Sequence, residues 1–237
     1  MHKPHIIAYF DCFSGVSGDM VLGALVDAGL TLEALQEGLR ALPLEGYRLT
    51  AHPDRQHALT GTKVNVVIES EAASAPHDHE HPDEYGHSHE HGHEHSHDHE
   101  HNHEHGHNRN LSDIEAMLDA SALPVPVRER ARAVFRRLAR AEAHVHGVSP
   151  NEVHFHEVGA VDSIVDVVGA VLGLHLLGVQ ACCCSPLPLG SGTITTAHGR
   201  LPVPVPATLQ ILANANAPTL PSPAQTEIVT PTGAALM

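Results

Sequence analysis

Between His77 and His107 the chain is too polar to contribute to a hydrophobic core. Fourteen histidines there are interleaved with nine Asp or Glu and no Lys or Arg, a formal charge of −9 with histidine neutral. So little apolar area cannot offset the entropy of ordering the backbone, and the stretch is expected to be disordered. With its polar flanks this insertion covers residues 72–110. The other 198 of the 237 residues suffice for a real core. The expected organisation is an α+β unit over 1–71, the insertion, and a helical and Pro/Gly-rich region over 111–237 that completes the core.

Charge and apolar patterning exclude several classes. With 13 Lys and Arg against 28 Asp and Glu, the net charge of −15 argues against a general nucleic-acid binder. No apolar run reaches the roughly 18 residues of a spanning helix; the best, Ile164 to Val179, is broken by Asp166 and His175. The N-terminus lacks a basic region followed by a long apolar one, so the chain reads as cytoplasmic, with no membrane partner. Three of the four cysteines are consecutive (Cys182, Cys183, Cys184), which makes no disulfide framework and fits a reducing compartment.

Outside the insertion the pattern alternates strand-like and helical. His5 to Phe10 predicts a strand that ends in the loop DCFSGVSGDM, and Met20 to Leu30 has helical periodicity. Thr31 is placed to cap a second helix through Leu42, and Tyr47–Ala51 with Thr62–Glu69 predict a strand pair. After the insertion, Ser112 and Glu115 form a candidate capping box. Apolar residues from Val127 to Val145 recur every three or four positions, and Gly147 terminates that helix. A second candidate capping box, Ser149 to Glu152, precedes HFHEVGAVDSIVDVVG and a helix to Leu177 that should be buried on most sides. From Cys182 onward, short β-like segments dense in proline and glycine predict a shaped loop.

Four groups of residues carry candidate chemistry. The tract histidines (His77, His79, His81, His87, His89, His91, His93, His95, His97, His99, His101, His103, His105, His107) are borderline ligands suited to nickel, zinc or copper. Lacking a fixed geometry, they describe a metal sponge and not a catalytic site. In the glycine loop, Asp11, Ser14, Gly15, Ser17, Gly18 and Asp19 could cradle a phosphate at a helix start, or its aspartates could bind a hard cation. It is not a P-loop, whose Lys-containing pattern is missing from the chain.

His154, His156, Glu157 and Asp162 offer two imidazole ligands, a carboxylate and a possible general base, provided the histidines lie on an extended stretch. His198 and Arg200 flank a rigid proline run, and the arginine suits a phosphate. Cys12 is a weak soft-ligand candidate. His175 and the cysteine triplet are expected to be packed side chains, and the arginines from 128 to 140 a solvated helix face able to dock the acidic tract.

Taken together, DCFSGVSGDM, the histidine-rich insertion, HFHEVGAVDSIVDVVG, PLPLGSGTITTAHGRLPVPVPAT and VTPTGAA resemble the nickel-insertion proteins of nickel-pincer nucleotide biosynthesis, the pathway that supplies the lactate racemase cofactor. The resemblance implies a nickel chelatase acting on pyridinium-3,5-bisthiocarboxylic acid mononucleotide. Nickel becomes bonded to two thiocarboxylate sulfurs and to the ring carbon between them, with loss of that ring proton. It also implies CTP hydrolysis with Mg²⁺ or Mn²⁺. The glycine loop would cradle substrate or phosphate, and His154, His156 and Glu157 would be nickel-transfer ligands, one of them the base. Family members continue into a portion associated with CTP binding, so either a truncated product or the first half of a split protein that needs a second chain is expected, and a homo-oligomer is compatible. The competing readings are a non-enzymatic nickel chaperone or store, and a phosphate-binding hydrolase with an incidental histidine linker.

The tract yields a pH prediction. Histidine in a polar stretch titrates near 6.5, so at pH 5.5 about nine tenths of the 14 are protonated and the tract charge moves from −9 to about +4. Nickel is expected to be released between pH 7 and 5.5; undiminished occupancy at pH 5.5 in equilibrium dialysis contradicts this.

Overall fold

The computed structural model describes residues 5–56, 58–69, 109–153, 155, 158–196 and 198–237. The 14 tract histidines lie outside these residues, as do His154, His156 and Glu157.

The fold is α+β, as the sequence predicts. Strand β1 (Ile7–Phe10) leads through the glycine loop into helix α1 (Gly18–Asp27), followed by α2 (Leu32–Leu39) and the antiparallel pair β2 (Tyr47–Gln56) and β3 (Leu59–Ile68). Helices α3 (Leu111–Ala120), α4 (Val125–His146) and α5 (Val161–Leu176) come next. The remainder is β4 (Ala181–Cys184), β5 (Leu187–Leu189), β6 (Thr193–Thr196), β7 (Gly199–Pro202), α6 (Pro206–Ala215), β8 (Thr219–Pro221) and α7 (Pro231–Leu236). Described strands pair only in twos: β1 with β4 and β5 with β8 in parallel, β2 with β3 and β6 with β7 antiparallel.

The core is organised around α5, whose Val165, Val167, Val168 and Ala170 are fully buried. Helices α1 and α2 cover one side with Leu22, Leu35 and Leu39, and α4 contributes Phe135 and Leu138, all without exposed surface. Each such side chain stabilises the fold by roughly 1.5–3 kcal/mol relative to exposure. The segments before and after the insertion therefore share one hydrophobic cluster. No described helix is long and apolar enough to cross a membrane.

Local signals held where the chain's own backbone decides. Thr31 caps α2, its hydroxyl accepting from the Ala34 amide at 3.2 Å, and Gly147 closes α4 at φ 67°. They shifted where neighbours compete. The box on α3 is Asn110 with Asp113, two positions earlier than Ser112 with Glu115: Asn110 Oδ1 accepts from the Asp113 amide, and Asp113 Oδ2 from the Asn110 amide. Asparagine caps as well as serine, and Ser112 is left donating to Asn110 Oδ1.

At Ser149 the amide does donate to Glu152 Oε2, but only a turn forms. The chain is instead pinned by the Phe155 amide donating to Arg109 O, with Val153 and Phe155 buried, and α5 starts only at Val161. α2 ends at Leu39, although Leu42 is still buried, and the β2–β3 arms each run to 10 residues because backbone pairing extends past the buried part.

Two expectations of packing are corrected. Cys182 and Cys183 are exposed, since the β1–β4 ribbon has only two strands and cannot cover both faces. His175 is half-buried in the last turn of α5, not fully packed in the core. The arginine face of α4 is partly engaged: Arg132 pairs with Asp119, Arg136 Nε with Glu115 Oε1 at 2.6 Å, and Arg137 donates to Ala235 O.

Gly15 shows how tightly the glycine loop is held. Its φ is +98°, and a Cβ there would stand 1.8 Å from Ile228 O. Gly29 has a similar φ of +108° but open space around it. Gly15→Ala is therefore expected to cost on the order of 3 kcal/mol or more, combining backbone strain with a clash against main chain, and Gly29→Ala only about 1. Urea unfolding checks this; equal losses at both positions contradict the packing role of Gly15.

Candidate functional site

The glycine loop is built into the protein on both sides. The Val16 amide donates to Ile228 O at 2.8 Å, and the Thr230 amide donates to Val16 O at 3.1 Å, forming a single parallel bridge between Val16 and Val229. This lays the segment before α7 alongside the loop. On the other side the start of α1 abuts α5: a Cβ on Gly18 would lie 2.6 Å from Asp166 Oδ2. Only glycine leaves room for that carboxyl group.

These contacts frame a cleft of about 380 Å³ among the starts of α1 and α5, Asn65 of β3, and residues 227–232. Asp19, Asp162, Asp166 and Glu227 line it, and no Lys, Arg or His is among its described lining residues. Asp162 and Asp166 stand one helical turn apart on α5, so both reach the same opening. Ser17 Oγ donates to Asp19, and Asp162 Oδ1 accepts from the Ser163 amide.

Asp166 has the most perturbed chemistry of the four. Burial, then the nearby charges of Asp19 and Asp162, push its carboxyl from 3.8 up to about 8. Its Oδ1 is buried and has no hydrogen-bond partner among the described residues. The positive end of α1 favours the anion by only about 0.3–1 kcal/mol, under one pKa unit, and cannot reverse a shift of this size. At neutral pH Asp166 is therefore mostly protonated.

Other sequence candidates fall in several places. Ser17, Gly18, Asp19 and Asp162 come together in the cleft. Ser14 lines a neighbouring groove of about 480 Å³ that shares Ser17 and Asp19 and also holds Lys63 and Asp54. Gly15 packs on Ile228, and Asp11 is exposed outside the cleft. A phosphate at the start of α1 would meet the Asp166 carboxyl, which already occupies that position.

His198 and Arg200 are not joined to the glycine loop. Both lie on the β6–β7 hairpin, where Arg200 Nε donates to Thr193 Oγ1 at 2.8 Å and His198 lines a separate cavity of about 180 Å³. Cys12 is buried, and its thiol is pushed up to about 11 chiefly by burial, so it presents no thiolate at neutral pH. Among the described residues no three His, Cys, Asp or Glu converge as a preformed metal site. Asp166 was not singled out from sequence as a site residue; a lone Asp one turn after Asp162 in an apolar helix was the available signal. Glu227 carried none.

Comparison with known proteins places the sequence in a described family. Residues 8–237 match the family model described as nickel insertion protein. The chain is 46% identical over 234 residues to a relative from Roseiflexus castenholzii and 49% over 232 residues to one from Thermomicrobium roseum, both named for nickel insertion. It is also 43% identical over 230 residues to a protein of Desulfitobacterium hafniense named pyridinium-3,5-bisthiocarboxylic acid mononucleotide nickel insertion protein. These alignments cover 99%, 98% and 97% of the chain but 50%, 49% and 48% of the relatives, so the chain spans about half the length of the curated relatives it matches. No solved structure is significantly similar. The chain belongs to the nickel insertion protein family.

Proposed function

We propose that the acidic cleft is where this chain presents nickel to the pyridinium-3,5-bisthiocarboxylic acid mononucleotide, as part of a nickel chelatase that makes the nickel-pincer cofactor of lactate racemase in the cytoplasm. The observation that carries this reading is the buried, raised carboxyl of Asp166 flanked by Asp19 and Asp162. A storage protein needs only the histidine tract and has no use for such a group.

The cleft's charge suits a cationic cargo. Nickel is a dication, whereas the described lining has carboxyl groups and no cation. The bound nickel dication offsets the charges of Asp19 and Asp162, which are two of the three causes that raise Asp166. Asp166 then ionises on arrival of its substrates and becomes a base inside the cleft. Forming the nickel–carbon bond releases the ring proton, and the Asp166 carboxylate accepts it. The nucleotide's phosphate is better served by the adjoining groove, where Lys63 supplies a cation.

His154, His156 and Glu157 are proposed as nickel-transfer ligands, and the tract as an antenna that raises the local nickel concentration; both assignments rest on sequence. CTP with Mg²⁺ or Mn²⁺ is proposed as the reaction's energy source. The cleft's described residues do not fit a triphosphate, having neither Lys nor Arg. The activity is proposed for the full length that the relatives have, with the further half on the same or a second chain; a homo-oligomer is compatible with this.

Nickel incorporation into the thiocarboxylate nucleotide, followed by mass spectrometry in the presence of nickel, CTP and the second half of a relative, tests the reading. Product is expected with the natural chain, and Asp166→Asn is expected to lower its rate by about 100-fold or more. No product, or undiminished product from Asp166→Asn, contradicts it.

The same residue sets a stability slope. Between pH 4 and about 8 the folded state holds a proton on Asp166 that the unfolded state has lost, so stability falls as pH rises through that window and levels off above it. Asp166→Asn is expected to flatten the slope and to stabilise the chain at pH 8 by on the order of 3 kcal/mol. Urea unfolding at pH 5 and pH 8 measures both; parallel slopes in the two proteins would show that Asp166 does not carry the shift.

A further inference from the structure

A second cluster of metal-binding chemistry stands apart from the acidic cleft. His146, in the last turn of α4, and His198, in the β6–β7 turn, are 52 positions apart in sequence, yet their ring centroids lie 4.9 Å from each other at an interplanar angle of 48°. Glu142, one helical turn before His146, places its Oε2 3.6 Å from His146 Nε2. All three line the 180 Å³ cavity, whose other walls are largely apolar, with Val145, Phe155, Ile194 and Leu201 among them.

We propose that His146 and His198, with Glu142 beside them, bind a borderline divalent cation of the nickel or zinc type at the mouth of this cavity. Imidazole nitrogen is the preferred ligand for such ions, and a carboxylate adds charge to the set. The rings touch without converging on one point, so binding requires side-chain rotation. The exposure of both histidines permits it. Two imidazoles and one carboxylate leave positions open for water or for an incoming ligand, which makes this a site of exchange and not a closed structural centre.

The site's position gives it a use. Val158, Glu227 and Pro231 line both this cavity and the acidic cleft, so a cation held by the histidine pair is separated from the cleft by one shared wall. The histidine pair is thus a holding station beside the cleft. It would bind metal whether or not the cleft is the place of insertion, so the two proposals fail separately.

Diethyl pyrocarbonate labelling of the full chain, read by peptide mass spectrometry, resolves these two histidines from those of the tract. Ni²⁺ or Zn²⁺ in excess over the tract's capacity is expected to slow modification of His146 and His198 together by several-fold, and Mg²⁺ to slow neither. In His146→Ala the protection of His198 is expected to disappear, and in His198→Ala that of His146. Unchanged labelling with both metals, or protection of His198 that persists in His146→Ala, overturns the proposal. Both side chains are exposed, so the variants fold.

Discussion

A buried carboxyl group, one of whose oxygens has no hydrogen-bond partner among the described residues, is the constraint on which this architecture turns where two helices begin. Asp166 extends from α5 toward the first residue of α1, and the close approach requires glycine at position 18. The same crowding recurs on the loop's other flank, where Ile228 reaches Gly15 and a Cβ on Gly233 would lie 2.1 Å from Val16 O. Three segments distant in sequence are thereby locked around one opening. Burial of Leu, Val and Phe side chains on α1, α2, α4 and α5 supplies the stabilisation that lets an unfavourable carboxyl be kept there.

The distribution of charge follows from this. The chain's net charge of −15 is mostly in the histidine tract, but the charges that bear on the proposed chemistry are few and close together. Asp19 and Asp162 act on Asp166 across the cleft, and Glu227 lines both the cleft and the cavity carrying His146 and His198. A polar, exposed antenna and a confined acidic cleft make different demands on sequence. The first needs only composition; the second needs particular residues brought together by tertiary packing.

That difference explains what the sequence made legible. The strand, glycine loop and helix at the N-terminus, the Thr31 cap, the four-and-three periodicity of α4 with its Gly147 stop, and the buried α5 are all set by local backbone preference and apolar spacing, and all are present. Within the candidate cleft, Ser17, Gly18, Asp19 and Asp162 are the residues that loop and helix-start motifs mark in the sequence. His198 and Arg200, marked in the sequence by the proline run beside them, lie on the β6–β7 hairpin, with His198 at another cavity. Asp166 looked like an interruption of an apolar run, since only the packing of α1 against α5 gives it Asp19 as a neighbour. The exposure of Cys182 and Cys183 was hidden for a like reason: whether a strand is covered depends on how many partners its sheet has.

The most direct test of the central claim is the titration of Asp166 itself, followed by the carboxyl ¹³C resonance in the natural chain and assigned by its loss in Asp166→Asn. A midpoint near 8 is expected without metal or nucleotide, moving down when nickel and the pyridinium nucleotide are added together. A midpoint in the ordinary aspartate range, near 4, in the chain alone would contradict the claim that burial and two neighbouring carboxylates hold this group protonated until its substrates arrive.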